Sequence, residues 1–97
     1  MKLKKQRPVL IVSNDANNKA ANTITVVPLT SNVTKIFPFE VFLNAKESGL
    51  SKSSKIQCQQ IRTISKLRIV SKCAGKANSK AMQKVDEALM IHLDLLG

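Results

Sequence analysis

The chain carries its apolar residues in short β-branched runs, each cut off by proline or by a cluster of turn-forming residues before it reaches helical length. Pro8-Val-Leu-Ile-Val12 and Thr23-Ile-Thr-Val-Val-Pro-Leu-Thr30 are strands by length and composition. Pro28 withholds a ladder donor, so the second strand is expected to bulge or to end at an edge there. Pro38–Leu43 makes a third strand, with Phe39 and Phe42 read as core-facing aromatics ahead of base stacking. Lys55-Ile-Gln-Cys-Gln-Gln-Ile-Arg-Thr-Ile64 makes a fourth. Its period of two puts Ile56, Cys58 and Gln60 on one face and Gln57, Gln59 and Ile61 on the other. A plain core strand does not carry three Gln and an Arg, so the polar side is available to a ligand.

Ser13–Asn18 and Glu47–Ser54 read as loops, the second bending at Gly49. Thr63 or Ser65 caps a short helix through Lys66–Val70, and Asn78 or Ser79 a longer one, Lys80–Leu96. In the longer helix Met82, Val85, Leu89, Leu93 and Leu96 recur at helical spacing as a packing stripe. Four strands followed by helices give an α+β order, mainly β, with a largely antiparallel sheet. Ninety-seven residues allow one domain, 1–97, that buries only about 60–65% of its unfolded surface.

Charge then narrows the partner. Sixteen basic and six acidic side chains give a formal net charge of +10. No acid stands between Glu47 and Asp86, where Lys52, Lys55, Arg62, Lys66, Arg68, Lys72, Lys76, Lys80 and Lys84 all fall. Lys2, Lys4, Lys5 and Arg7 form a second cluster at the start. Such a field attracts polyanions, of which nucleic acid is the commonest; the alternative is charge that serves solubility alone. Tyr and Trp are absent, so stacking on Phe37, Phe39 and Phe42 cannot carry the affinity. Phosphate contacts and hydrogen bonds must. No apolar run approaches 18 residues, and the basic start makes a poor signal peptide, so a cytoplasmic protein without a membrane span is expected.

The chemistry on offer is sparse. Cys58 and Cys73 have no CxxC partner and His92 stands alone, so reduced thiols, a partly buried histidine and no metal site are expected. The glycines are dispersed at 49, 75 and 97, which excludes a Gly-rich phosphate loop. One histidine excludes a histidine acid–base pair. One reaction tolerates this poverty: cleavage of RNA by its own 2′-hydroxyl. The substrate supplies the nucleophile there, and the protein supplies geometry and positive charge around the phosphate. Arginine suits that charge because its guanidinium forks onto two phosphate oxygens.

Arg7-Pro-Val-Leu-Ile-Val-Ser-Asn-Asp15, Ala21-Asn-Thr-Ile-Thr-Val-Val-Pro-Leu-Thr30, Gly49-Leu50, Ser54, Gln60-Ile-Arg-Thr63 and Met82-Gln-Lys-Val-Asp-Glu-Ala-Leu89 resemble, in order and spacing, the MazF/PemK-type toxins. The resemblance spans essentially the whole chain. It implies an SH3-like, partly open antiparallel β-barrel with a short helix and a C-terminal helix, of the kind shared with CcdB. It also implies a homodimer and a metal-independent, cofactor-free, sequence-specific endoribonuclease acting on single-stranded RNA. A cognate acidic antitoxin would hold that activity in check. By motif position Arg7 and Thr30 match the catalytic Arg and Thr: Arg7 to brace the scissile phosphate and help protonate the departing oxygen, Thr30 to donate to a non-bridging oxygen. Gln59, Gln60 and Arg62 are the implied base or phosphate contacts, with Lys35 as a further phosphate contact. Many relatives carry Glu where Gln59 stands, which alters the charge beside the RNA path.

The front of the chain departs from that pattern. Only Met-Lys-Leu-Lys-Lys-Gln precedes Arg7, where relatives carry a further strand and a Gly-rich loop. Absence of that strand is expected to expose a sheet edge, open one wall of the groove and shift stability onto dimerisation. Two rivals accompany this reading: a shortened, non-catalytic module that binds antitoxin or RNA, and a CcdB-like topoisomerase poison.

Overall fold

The computed structural model describes residues 8–69 and 77–95. Among them run strands β1 (Val9–Ile11), β2 (Thr23–Thr30), β3 (Glu40–Leu43), β4 (Ser54–Gln57) and β5 (Arg62–Ser65), with helices α1 (Asp15–Ala20), α2 (Ala45–Ser48) and α3 (Ser79–His92). The strands form one antiparallel sheet in the order β1-β2-β4-β3, with β5 also on β2. β2 is the hub. One edge takes β1, from Val9 opposite Pro28 to Ile11 opposite Val26. The other takes β5, from Thr23 opposite Ser65 to Val26 opposite Arg62, and then β4, with Leu29 opposite Ile56 and Thr30 opposite Lys55. β1 and β3 end the path unpaired with each other, so the sheet is mainly β with a C-terminal helix and does not close into a full barrel.

The expected single strand Lys55–Ile64 is two strands, parted by a 3-10 turn at Cys58–Gln60. Pro28 explains the break. The Leu29 N–H donates to the Pro8 carbonyl at 3.1 Å, so ladder groups of odd-numbered β2 residues point toward β1 and even-numbered ones toward β4 and β5. Pro28 has no N–H to offer on that second edge, and there the partner chain lifts away. The bulge foreseen for β2 therefore forms in its neighbour, where Cys58 turns in and is wholly buried.

Register sorts the side chains onto two faces. Leu29, Ile56 and Val41 are successive partners, and with Val27, Leu43 and Cys58 they pack against Ala81, Val85 and Ala88 of α3. Thr30, Lys55 and Phe42 are the successive partners on the opposite face. Phe42 is accordingly 45% exposed, which overturns its assignment to the core. Phe39 lies on the α3 side, its ring 6.4 Å from that of His92, which is itself exposed rather than partly buried.

The α3 stripe is rotated from the expected one. Small residues at Ala81 and Ala88 flank fully buried Val85 and let the helix approach the sheet closely, while Met82 and Leu89 are partly buried and Leu93 is 46% exposed. Leu96 lies outside the described residues, as does Val70 of the shorter helix. That shorter helix is a 3-10 turn, Lys66–Arg68, capped by Ser65, whose hydroxyl accepts from Leu67 N–H at 3.2 Å.

Two stretches expected as loops overlap helices: Ser13–Asn18 holds most of α1, and Glu47–Ser54 begins within the end of α2. Asn14 accepts from Asn17 N–H at 2.8 Å and so starts α1, using the same local side-chain bonding that marks a turn. Asn44 starts α2 in the same way, and Gly49 ends it at φ 81°. A Cβ at Gly49 would meet nothing within 4 Å, so its requirement is conformational. Ile56→Ala is expected to cost about 2–5 kcal/mol. Loss of the α3 cap in Asn78→Ala, whose side chain accepts from Ala81 N–H at 2.8 Å, should cost about 1 kcal/mol. Urea unfolding of both variants measures the difference.

Candidate nucleic-acid interface

The sheet face turned away from α3 holds a buried ion pair. Glu40 and Phe42 share this face of β3, and Lys55 shares it on β4. Lys55 Nζ lies 3.0 Å from Glu40 Oε1, with the two side chains 11% and 1% exposed. The same ammonium donates to the Lys35 carbonyl at 2.6 Å. Gln59 Nε2, on the 3-10 turn, donates to Glu40 Oε2 at 2.8 Å. The Phe37 N–H donates to Glu40 Oε1 at 3.0 Å, while the Glu40 N–H donates back to the Phe37 carbonyl at 2.9 Å. These two bonds close a turn with Pro38 at its second position, where a fixed φ is favourable. Three donors on one carboxylate compensate its desolvation, and removing a single partner from such a pair typically costs about 3–5 kcal/mol.

Burial by itself would raise the Glu40 carboxyl. The bond from the Phe37 N–H, those from Gln59 and Lys55, and the Lys55 charge together outweigh it and hold the carboxyl below its ordinary value. Burial, and secondarily the Glu40 charge, pushes the Cys58 thiol up to about 11. It is therefore a packed thiol, since nucleophilic attack needs the thiolate.

The loop between β2 and β3 lies against this network. Phe37 and Phe39 stack with centroids 5.3 Å apart and planes 10° apart. Lys35 Nζ sits 4.7 Å from the Phe37 centroid and Lys55 Nζ 5.9 Å from it, so two ammonium groups share one ring. Phe37 is 39% exposed at this edge.

The network joins Lys35 and Gln59 through Glu40 and Lys55. Thr30 stands opposite Lys55, half-buried, its hydroxyl oxygen accepting from the Asn32 N–H at 3.2 Å. Arg62 is exposed on β5 opposite Val26, on the face of Thr30 but four residues back along β2, about 13 Å at ~3.3 Å per residue. Gln60 is exposed on the 3-10 turn. Arg7 lies outside the described residues, as do Lys2, Lys4, Lys5, Lys72, Lys76 and Cys73.

Glu40 and Lys55 organise this face, and neither stands among the site candidates that the sequence offers. The signal was present: an acid inside the apolar run Phe39–Leu43, in a chain with six acids, and Lys55, Gln57 and Gln59 at a period of two.

A carboxyl held below its unfolded value stabilises the fold above that value, about 4.3 for Glu, and the contribution is lost as pH falls through it and on through the folded value. Stability should therefore decline in acid from about pH 5 downward. Glu40→Gln should be less stable at neutral pH and show a shallower acid slope in urea unfolding. An unchanged slope would refute the coupling.

The profile of a protein family described as the PemK-like, MazF-like toxin of type II toxin–antitoxin systems matches residues 2–93. Endoribonuclease MazF9 of Mycobacterium tuberculosis is 43% identical over 95 residues, covering 93% of this chain and 80% of that protein. Among solved structures, Mycobacterium tuberculosis toxin MazF-mt6 superposes with a TM-score of 0.82 at 27% identity, over 96% of this chain and 91% of that one. A mycobacterial endoribonuclease in complex with its cognate antitoxin superposes with a TM-score of 0.79 at 25% identity, over 94% and 84%. Fold, sequence and the order of the motif residues agree: this chain belongs to the PemK-like, MazF-like toxin family.

Proposed function

We propose that this chain is an endoribonuclease toxin of 1–97 as one domain, cleaving single-stranded RNA at a specific sequence and neutralised by a cognate acidic antitoxin. The 2′-hydroxyl of the substrate attacks the adjacent phosphorus, and the bond to the 5′-oxygen breaks. No step calls on a metal or a cofactor, because the nucleophile belongs to the RNA and the developing charge falls on phosphate oxygens that cationic and hydroxyl groups can meet.

The observation that carries the reading is the setting of Thr30. Its oxygen already accepts from the Asn32 N–H, which leaves the hydroxyl proton to donate to a non-bridging phosphate oxygen. Arg7 is the group assigned to brace that phosphate and help protonate the departing oxygen. Its covalent neighbour Pro8 is bonded through its carbonyl to Leu29, one residue from Thr30, which supports the pairing. Lys35 and Arg62 are assigned to phosphates and Gln59 and Gln60 to bases along the same face. Relatives described as endoribonuclease and as a complex with antitoxin support the substrate and the partner. The net charge of +10 suits either polyanion.

A homodimer completes the proposal. Met90, Ile91, Leu93 and Leu95 are each at least 41% exposed at the end of α3, leaving apolar surface for a second copy to cover.

Arg7→Ala and Thr30→Ala should each lower single-turnover cleavage of mixed-sequence RNA in EDTA by about 10²-fold or more, the usual loss when one preorganised donor to a developing oxyanion is removed. Near-wild-type turnover in both would overturn the assignment. Binding without cleavage by the unmodified chain would favour the non-catalytic module.

A further inference from the structure

We propose that Glu40 and Lys55 are positioning residues for base recognition, fixing the Gln59 carboxamide so that its oxygen is the end offered to RNA. The inference rests on the reading of Gln59 as an RNA contact. Asparagine and glutamine amides can normally turn either end toward a ligand, because oxygen and nitrogen occupy similar space. Here they cannot. An ionised carboxylate only accepts, so the amide nitrogen must face Glu40, as it does at 2.8 Å. The Phe37 N–H and Lys55, each 3.0 Å from Oε1 of the same carboxylate, favour its ionised form although its side chain is 1% exposed. The polarity of Gln59 is thus set from inside the fold, by the charge pair that its amide nitrogen meets.

The amide oxygen is left as the informative atom. Gln59 Oε1 is buried and has no hydrogen-bond donor among the described residues. Such an acceptor is costly to leave unpaired, and a donor delivered by a ligand relieves that cost. Gln59 is only partly buried on the 3-10 turn, so the residue that carries this unpaired oxygen borders solvent. An oxygen accepts from a base amino or imino N–H and rejects a base that presents an acceptor at the same place. Lys55 also ties down the Lys35 carbonyl at 2.6 Å, so the loop bearing a phosphate contact is held by the same pair as the base contact. Recognition and backbone grip therefore share one geometry.

The test compares cleavage of single-stranded RNA libraries by Gln59→Ala, Glu40→Gln and the swap Glu40→Gln/Gln59→Glu, with urea unfolding to establish that each is folded. Gln59→Ala identifies the RNA position that Gln59 reads, as the position where discrimination is lost. Glu40→Gln frees the amide to turn and should lower discrimination at that same position about tenfold, the scale of one base contact. The swap keeps an internal amide-to-carboxylate bond and an accepting atom at position 59, so discrimination should be retained while the added charge near RNA raises KM. Full discrimination in folded Glu40→Gln alongside its loss in Gln59→Ala overturns the positioning role and leaves the contact standing. Unchanged discrimination in Gln59→Ala overturns the contact and the inference together. Should Glu40→Gln fail to fold, folded Glu40→Asp decides, since it keeps the charge but draws the carboxylate back from Gln59 Nε2: lowered discrimination at the Gln59 position supports the inference, and full discrimination overturns it.

Discussion

Strand β2 is the constraint on which the remaining structure depends. Its eight residues pair on both edges, with β1 on one side and with β5 and β4 in succession on the other. Its side chains are buried on both faces, Ile24 and Val26 on one and Val27 and Leu29 on the other. A strand covered on both faces reads as a near-continuous apolar run, as this one does. The proline within it shapes the neighbour, because a missing donor on one edge is where the partner chain can leave without losing a ladder bond. The 3-10 turn that results is what brings Gln59 back toward Glu40.

The buried ion pair gives the site its order. A chain with a surplus of ten positive charges places one of its six acids inside, beneath a loop that carries Lys35. The pair cancels locally and leaves the surplus of positive charge to the surface, so the field that attracts polyanions is undiminished. What it contributes is geometry. The Glu40 carboxylate collects the turn at Phe37, the Lys55 ammonium and the Gln59 amide, and each donor limits where the others can sit. Buried ion pairs are weak evidence for stability; what this one fixes is the placement of Phe37, Lys55 and Gln59 around one carboxylate.

Much of the fold was legible in the residues. β2 falls on Thr23–Thr30 and the α3 cap on Asn78, because β-branched runs and side-chain capping are local physics. The aromatics were legible only in part. In the expected strand Pro38–Leu43, Phe39 and Phe42 are three residues apart and would face opposite ways, so both could not enter one core; Phe39 in fact lies in the turn before β3. The short helices α1 and α2, which overlap the expected loops, are hidden for a different reason. Asn and Ser bond to nearby backbone in turns and helix caps alike, and only the residues that follow decide between them. The candidate site was legible as a set of residues but not as a network, since Glu40 and Gln59 are 19 positions apart and no local rule links them.

The sequence by itself determined the order of strands and C-terminal helix, the basic field and the poverty of acid–base chemistry, all of which follow from composition, period and spacing. Only the tertiary structure decided that Pro28 would break its neighbour, that Phe42 would face solvent, and that Glu40, Lys55 and Gln59 would meet. Those outcomes depend on register, and register is fixed by pairing between distant segments under one shared core.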